Sequence, residues 1–142
     1  MKHLYFILLA IVCLSLFRCS SDEVANQVPT EISQFVAEYF PSYSYENYVK
    51  TKDSYFVKLK SGPGLTFNSK VKWIEINGYG QPLTQFFLFD QVPPAVYEYL
   101  QESENIENVY AVSRDSTNYF VSLFDSVLTY VIATTKISVA YG

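Results

Sequence analysis

Residues 55–59 read Tyr-Phe-Val-Lys-Leu, and residues 119–123 read Tyr-Phe-Val-Ser-Leu, 64 positions further along the chain. The same offset relates Val28-Pro29 to Val92-Pro93. Both pentapeptides are rich in aromatic and β-branched residues, which is typical of a β-strand. A repeat of this length predicts two copies of one supersecondary unit, each too small to bury a core alone.

Each unit is predicted to begin with a helix and to continue as four strands. After Val28-Pro29, apolar residues recur at helical spacing as far as Phe40, and Pro41 ends the pattern. Short apolar runs separated by turn residues predict strands over 44–51, 54–60, 65–69 and 71–77, with 81–87 as a further strand or a linker. The second unit is predicted as a helix over 93–103 and strands over 107–113, 117–124, 127–133 and 136–141.

The helices determine the predicted layering of the fold. A helix with one apolar face can bury that face only against one side of an antiparallel sheet. We therefore predict an α+β fold of two tandem α-β-β-β-β units, with the helices packed on one face of the sheet. The units are expected at residues 28–89 and 92–142, together forming one domain over 28–142.

The alternation of residues along each strand assigns the two faces of the sheet. Val57 and Val121 belong to the uniformly apolar set, which we place against the helices. The opposite, mixed face is predicted to bind a partner, because aromatic residues among polar neighbours are typical of protein interfaces. Its predicted binding residues are Phe56, Lys58, Trp73, Phe120 and Phe124. The alternative is that another segment or a second copy of the chain covers this face.

The N-terminal segment has the pattern of a secretion signal. Lys2 and His3 precede an apolar run over 4–17, which is shorter than the roughly 20 residues of a membrane-spanning helix. Cys19 follows this run and resembles the lipidated cysteine of bacterial lipoproteins, and Asp22-Glu23 resembles the export signal of surface lipoproteins in Bacteroidota. We predict a signal peptide over 1–18, lipidation of Cys19 and a polar tether over 19–27, with an uncleaved anchor as the alternative. The expected location is the outer membrane or cell surface, and a secreted or periplasmic protein is the alternative.

The composition excludes several classes of function. The only histidine is His3, and neither cysteine lies beyond residue 19, so His- or Cys-based catalysis and zinc binding lack their residues. We therefore predict a protein that is not an enzyme, with no catalytic residues, no metal site and no cofactor. Beyond residue 18 the acidic residues outnumber the basic ones by 14 to 8, which argues against nucleic acid as a partner. Membrane contact is expected through the lipid anchor alone.

The motifs together resemble those of the PepSY-like, β-lactamase-inhibitor-like domain of secreted bacterial proteins. The resemblance covers nearly all of 28–142 and lies in the helix motif over 28–41, the strand motif over 55–62 and the Trp-Ile-Glu-Ile-Asn-Gly-x-Gly motif over 73–80. It implies a tandem α+β fold and a non-catalytic role in binding or inhibiting another protein. An extracytoplasmic hydrolase or protease is the partner that the resemblance suggests. Self-assembly in the envelope and binding of a small ligand or glycan by the aromatic face are the alternatives.

Overall fold

The computed structural model describes residues 20–142, which form an eight-stranded sheet, two helices before its first strand and two helices between its fourth and fifth strands. The helices are α1 (Ser20–Gln27), α2 (Thr30–Tyr39), α3 (Gln85–Gln91) and α4 (Pro94–Glu102), and a 3-10 turn follows at Ile106–Asn108. The strands are β1 (Tyr45–Lys50), β2 (Ser54–Leu59), β3 (Gly64–Asn68), β4 (Trp73–Asn77), β5 (Ala111–Arg114), β6 (Asn118–Ser122), β7 (Ser126–Val131) and β8 (Lys136–Tyr141).

The strands lie side by side in the order of the sequence, and every neighbouring pair is antiparallel. The connection that contains α3 and α4 separates β4 from β5, yet these two strands pair directly through Glu75 with Ser113, Ile76 with Val112 and Asn77 with Ala111. One continuous sheet therefore joins both halves of the chain. The predicted α+β class with an antiparallel sheet is confirmed.

The core lies between one face of this sheet and the helices. A row of completely buried side chains crosses six strands, in the order Val57, Leu65, Ile76, Val112, Val121 and Leu128. Helices α2, α3 and α4 bury their apolar sides in the same cluster, through residues that include Ile32, Val36, Phe87, Leu88, Val96 and Leu100. The predicted core positions Val57 and Val121 are confirmed, because both side chains are completely buried.

Trp73 lies on the core side of the sheet, so its predicted position on the mixed face is wrong. The register shifts between β3 and β4: Thr66 is opposite Glu75, whereas Phe67 is opposite Trp73. Ile74 is the extra residue of this β-bulge, and it reverses the alternation of sides. Trp73 consequently faces the helices and is only 3% exposed.

Two segments have more helix than the sequence predicts. The sequence predicts a strand or a linker over 81–87, whereas the last three of these residues are the start of α3. The predicted tether over 19–27 is helical from Ser20 to Gln27, and this helix lies against β1. Cys19 and the predicted signal peptide over 1–18 lie outside the described residues, so lipidation, cleavage and the tether role stay predictions. None of the helices in residues 20–142 is long and apolar enough to cross a membrane.

A pair of valine substitutions tests the assignment of the two faces. Val57 is completely buried, whereas Val49, on the neighbouring strand and the opposite side, is 43% exposed. Val57→Asp would bury an unpaired charge and is expected to cost more than about 4 kcal/mol, which is enough to unfold a domain of this size. Val49→Asp should change the stability by less than about 1 kcal/mol. Thermal melts followed by circular dichroism measure both, and a cooperative melt of Val57→Asp near that of wild type would contradict this core.

Candidate functional site

The side of the sheet that faces away from α2, α3 and α4 is called the open face below. Its central row runs across all eight strands through Val49, Phe56, Thr66, Glu75, Ser113, Phe120, Thr129 and Ser138. Phe56 and Phe120 lie on this face as predicted, and both are half-buried. Four strand spacings separate them, or about 19 Å, and three polar side chains lie between. The open face therefore carries two separate aromatic positions, one in each half of the sheet.

The rings of Phe56 and Tyr79 both lie over Gly64, and the two rings are called the aromatic cluster below. A Cβ atom at Gly64 would lie 2.7 Å from the Tyr79 ring and 3.1 Å from the Phe56 ring, so both rings pack directly over the glycine backbone. The turn that holds Tyr79 has a positive φ of 50° at this residue, and the Asn77 side chain accepts a hydrogen bond from its N–H at 2.9 Å. A bulky residue rarely adopts this conformation. The strained turn places the Tyr79 ring on the open face, where it is 57% exposed.

Lys58 fixes the position of this cluster. Its ammonium group donates hydrogen bonds to the carbonyl oxygens of Leu59 at 2.7 Å and Gly62 at 2.9 Å. It also lies 3.7 Å from a Glu46 carboxylate oxygen and 5.3 Å from the centre of the Tyr79 ring. Lys58 lies on the predicted face, but its donors are already engaged within the chain. We therefore assign it to positioning Tyr79.

The second half of the open face is built differently. Ser122 stands where the first half has Lys58, and Val127 pairs with it across β6 and β7. Phe124 lies in the turn between these strands, because β6 ends at Ser122 and the N–H of Leu123 bonds to the carbonyl of Ser126. The prediction that Phe124 is a strand residue of the open face is wrong. Its ring is 85% exposed at the tip of the turn, near the 76% exposed Tyr141.

Sequence reasoning missed Tyr79 as a residue of the site. The Asn-Gly-Tyr-Gly stretch over 77–80 indicates a turn, and the alternation of a strand assigns no face to turn residues. The signal that could have found it is a large aromatic residue between two glycines. The sequence pattern likewise indicates only a turn at Gly64, although the absence of a side chain there makes room for the rings of Phe56 and Tyr79.

A chain of hydrogen bonds on the helix side explains how Trp73 is buried. Its indole N–H donates to the Gln91 side-chain oxygen at 2.8 Å, and the Gln91 amide donates to the Tyr39 hydroxyl at 2.6 Å. The Tyr39 hydroxyl donates to the Asp90 carboxylate. A buried indole N–H without an acceptor would be costly, so α3 supplies the acceptor along with apolar cover.

Two pKa values in this chain of hydrogen bonds are shifted. Burial, followed by the hydrogen bond to Asp90, raises the pKa of Tyr39 to about 12. The hydrogen bonds from Tyr39 and then from Gln91 lower the pKa of Asp90. Both shifts favour the neutral tyrosine and the ionised aspartate, which is the arrangement that the hydrogen bond requires.

The described residues of the open face form a contact surface, and we identify no group of catalytic or metal-binding side chains among them. Across residues 20–142, no three side chains of His, Cys, Asp or Glu are grouped so that they could hold a metal ion. What the geometry provides is a stiff antiparallel sheet with Phe56, Tyr79 and Phe120 displayed among Ser, Thr and Glu side chains. Such a surface suits contact with a folded polypeptide.

The fold defines an α+β protein with helices on one side of an open antiparallel sheet. Comparison with known families identifies the family to which it belongs. The family described as "Putative beta-lactamase-inhibitor-like, PepSY-like" matches the chain twice, over residues 19–72 and 53–136. The chain belongs to this PepSY-like family, which confirms the resemblance found in the sequence. No curated protein matches the chain in sequence.

Solved structures of bacterial proteins share the fold. A protein of the DUF2874 family from Bacteroides vulgatus, described as a putative periplasmic protein, is 22% identical and superposes with a TM-score of 0.63 over 81% of this chain and 91% of its own. A protein from Bacteroides thetaiotaomicron, described as a putative calcium-regulated periplasmic protein, is 20% identical, with a TM-score of 0.64 over 81% and 91% of the two chains. At these identities the likeness shows the fold alone.

Removing the Tyr39 hydroxyl should remove two pH-dependent contributions to stability. At neutral pH, Tyr39→Phe is expected to lower the free energy of unfolding by about 1 kcal/mol through the lost hydrogen bonds. Because the pKa of Asp90 is lowered in the folded state, this advantage of the wild type is present above about pH 4 and is lost as the pH falls through the folded-state pKa. Because the pKa of Tyr39 is raised to about 12, the advantage also declines as the pH rises above about 10.

Urea denaturation at about pH 3, 7 and 11 measures this effect in wild type and Tyr39→Phe. Tyr141→Phe is the matched control, because it removes the hydroxyl of a tyrosine that is 76% exposed. A difference between wild type and Tyr39→Phe that stays constant across the three pH values would contradict the assigned hydrogen bond.

Proposed function

We propose that this chain is a non-catalytic lipoprotein of the bacterial cell envelope whose open face binds another protein. The observation that carries the proposal is the display of Phe56, Tyr79 and Phe120 on the side of the sheet away from the helices. The partner we propose is an extracytoplasmic hydrolase or protease, and binding would restrain its activity. The match to a family described as β-lactamase-inhibitor-like supports this class of partner.

The geometry of the open face suits a partner with two contact points. Aromatic side chains that become buried at the centre of an interface contribute most of the binding free energy, and truncating one typically costs about 2 kcal/mol. Phe56 with Tyr79 forms one such anchor, and Phe120 forms the other. Thr66, Glu75 and Ser113 lie between them and can form hydrogen bonds with the partner. Little reorganisation is needed on binding, because both anchors rest on a paired sheet.

The proposed location is the periplasmic side of the envelope or the cell surface, with a lipid on Cys19. The structural neighbours are described as putative periplasmic proteins, which supports an extracytoplasmic location. We infer that α1 connects the lipidated residue to the domain, because it begins at Ser20 and lies against β1. In this arrangement the membrane is near the first edge of the sheet.

We also infer that the two halves, 28–89 and 92–142, are copies of one unit. Each half contains a helix followed by four antiparallel strands, and the 64-residue offset relates two completely buried valines, Val57 and Val121. It also relates Phe56 to Phe120, which both lie on the open face.

Self-assembly is the second candidate function, and a separate observation favours it. Strand β8 lies at an edge of the sheet and pairs with β7 on one side. Tyr141 and Phe124 are strongly exposed beside this edge. A second copy that pairs through β8 would cover both rings.

Affinity capture from native envelopes tests the binding proposal. The full chain is compared with Phe56→Ser/Phe120→Ser, which removes one phenylalanine ring from each anchor, and with Phe86→Ser/Phe89→Ser. The second pair is the matched control, because these rings are 54% and 66% exposed on α3, which packs on the other side of the sheet. We expect an envelope enzyme to be captured by wild type and by the α3 variant, with at least about 100-fold less captured by the open-face variant.

The contrary outcomes are equally specific. Capture lost in the α3 variant and kept in the open-face variant would move the binding site to the helix layer. Recovery of further copies of the chain alone would favour self-assembly over partner binding. Thermal melts of both variants establish that any loss of capture occurs in folded protein.

A further inference from the structure

Arg114 is the only arginine in residues 20–142, and it packs against the only tryptophan of the chain. The guanidinium carbon lies 3.8 Å from the centre of the Trp73 ring. Nε–H donates to the Trp73 carbonyl oxygen at 2.8 Å, and Nη1 donates to the Tyr119 hydroxyl at 3.3 Å. These contacts hold the guanidinium in one place and leave Nη2 with no acceptor among the described residues.

No carboxylate in the described part of the chain forms a salt bridge with Arg114. Asp115, the adjacent residue, is occupied by its own turn: its Oδ1 accepts hydrogen bonds from the backbone N–H of Thr117 at 2.7 Å and of Asn118 at 2.8 Å. The Thr117 hydroxyl donates to the same oxygen at 2.8 Å. These hydrogen bonds lower the pKa of Asp115, and the bond from the Thr117 N–H contributes most. Asp115 therefore remains an anion without pairing with Arg114. A half-buried guanidinium without a counter-ion is unusual in a chain with 14 acidic residues.

A depression of about 290 Å³ opens beside this guanidinium at one end of the sheet. The residues that line it include Trp73 and Ile74, and Lys72, Arg114 and Asp115 supply its charges. Two cations against one anion leave a local charge of one positive unit, although the chain as a whole is negative. A guanidinium with free Nη donors binds a carboxylate with well-directed, charge-assisted hydrogen bonds.

We propose that this depression binds a carboxylate group, held by the free Nη donors of Arg114 and by the Lys72 ammonium. The single local positive charge matches a monoanion, and a dianion such as phosphate would also face the Asp115 carboxylate. The carboxylate comes either from a small free acid or from an acidic residue of a polypeptide. This site lies on the helix side of the sheet and does not depend on the open face.

Trp73 reports directly on the site, because its fluorescence is the only tryptophan signal of the chain. The full chain is titrated at neutral pH and constant ionic strength with butyrate, with a short end-blocked peptide that contains one glutamate, and with inorganic phosphate. We expect a saturable change in Trp73 emission with butyrate or the peptide, with a dissociation constant of about 1 mM. Saturation by both or by butyrate alone assigns a free acid as sufficient, and saturation by the peptide alone assigns an acidic residue of a polypeptide.

Variants separate a binding site from a purely structural arginine. Arg114→Gln should abolish the response, and Lys72→Gln, at an exposed position that leaves the fold intact, should weaken it about tenfold. Lys50→Gln is the matched control, because its ammonium lies 5.4 Å from the Tyr55 ring in another cation–π contact, away from the depression. An unchanged Trp73 signal with both carboxylates, equal weakening by Lys50→Gln, or tighter binding of phosphate than of butyrate would overturn the proposal.

Discussion

Phe87 is completely buried where α3 meets α2 and β4. Its ring centre lies 5.4 Å from that of Trp73, 5.8 Å from Tyr39 and 5.9 Å from Phe40. Because α3 belongs to the connection between the two halves of the sheet, these contacts fix that connection over one face. An apolar sheet face must be covered to be stable, and the position of Phe87 therefore determines which face of the sheet is left open.

The covered and the open side of the sheet consequently differ in which polar and aromatic side chains they accommodate. On the covered side, polar groups are tolerated where they have partners, as the Trp73 N–H has in Gln91. Arg114 is the exception, because its guanidinium lies on the covered side and forms no salt bridge with a carboxylate of the described residues. On the open side, the aromatic rings need no partner for folding, and the strained turn at Tyr79 is maintained by the surrounding sheet. The two proposed binding sites therefore lie on opposite sides of one rigid layer.

Much of this fold could be predicted from periodicity, and the differences have local causes. Alternation placed Val57, Val121, Phe56 and Phe120 correctly, because strand residues strictly alternate where the ladder is regular. Trp73 could not be placed, since a one-residue bulge at Ile74 leaves no clear mark in the sequence and reverses every side beyond it. The short helices α1 and α3 were missed because seven or eight residues are too few for a clear helical period.

The two edges of the sheet have different surroundings. Strand β1 has α1 beside it, whereas β8 is paired on one side only. A free strand edge can recruit another strand, and in many proteins this leads to unlimited growth. Here, two copies joined through β8 would form a doubled sheet that ends at β1 on both sides, each β1 with its own helix. Growth by strand addition would stop at a closed two-fold pair, so the helix beside β1 also limits fibre formation.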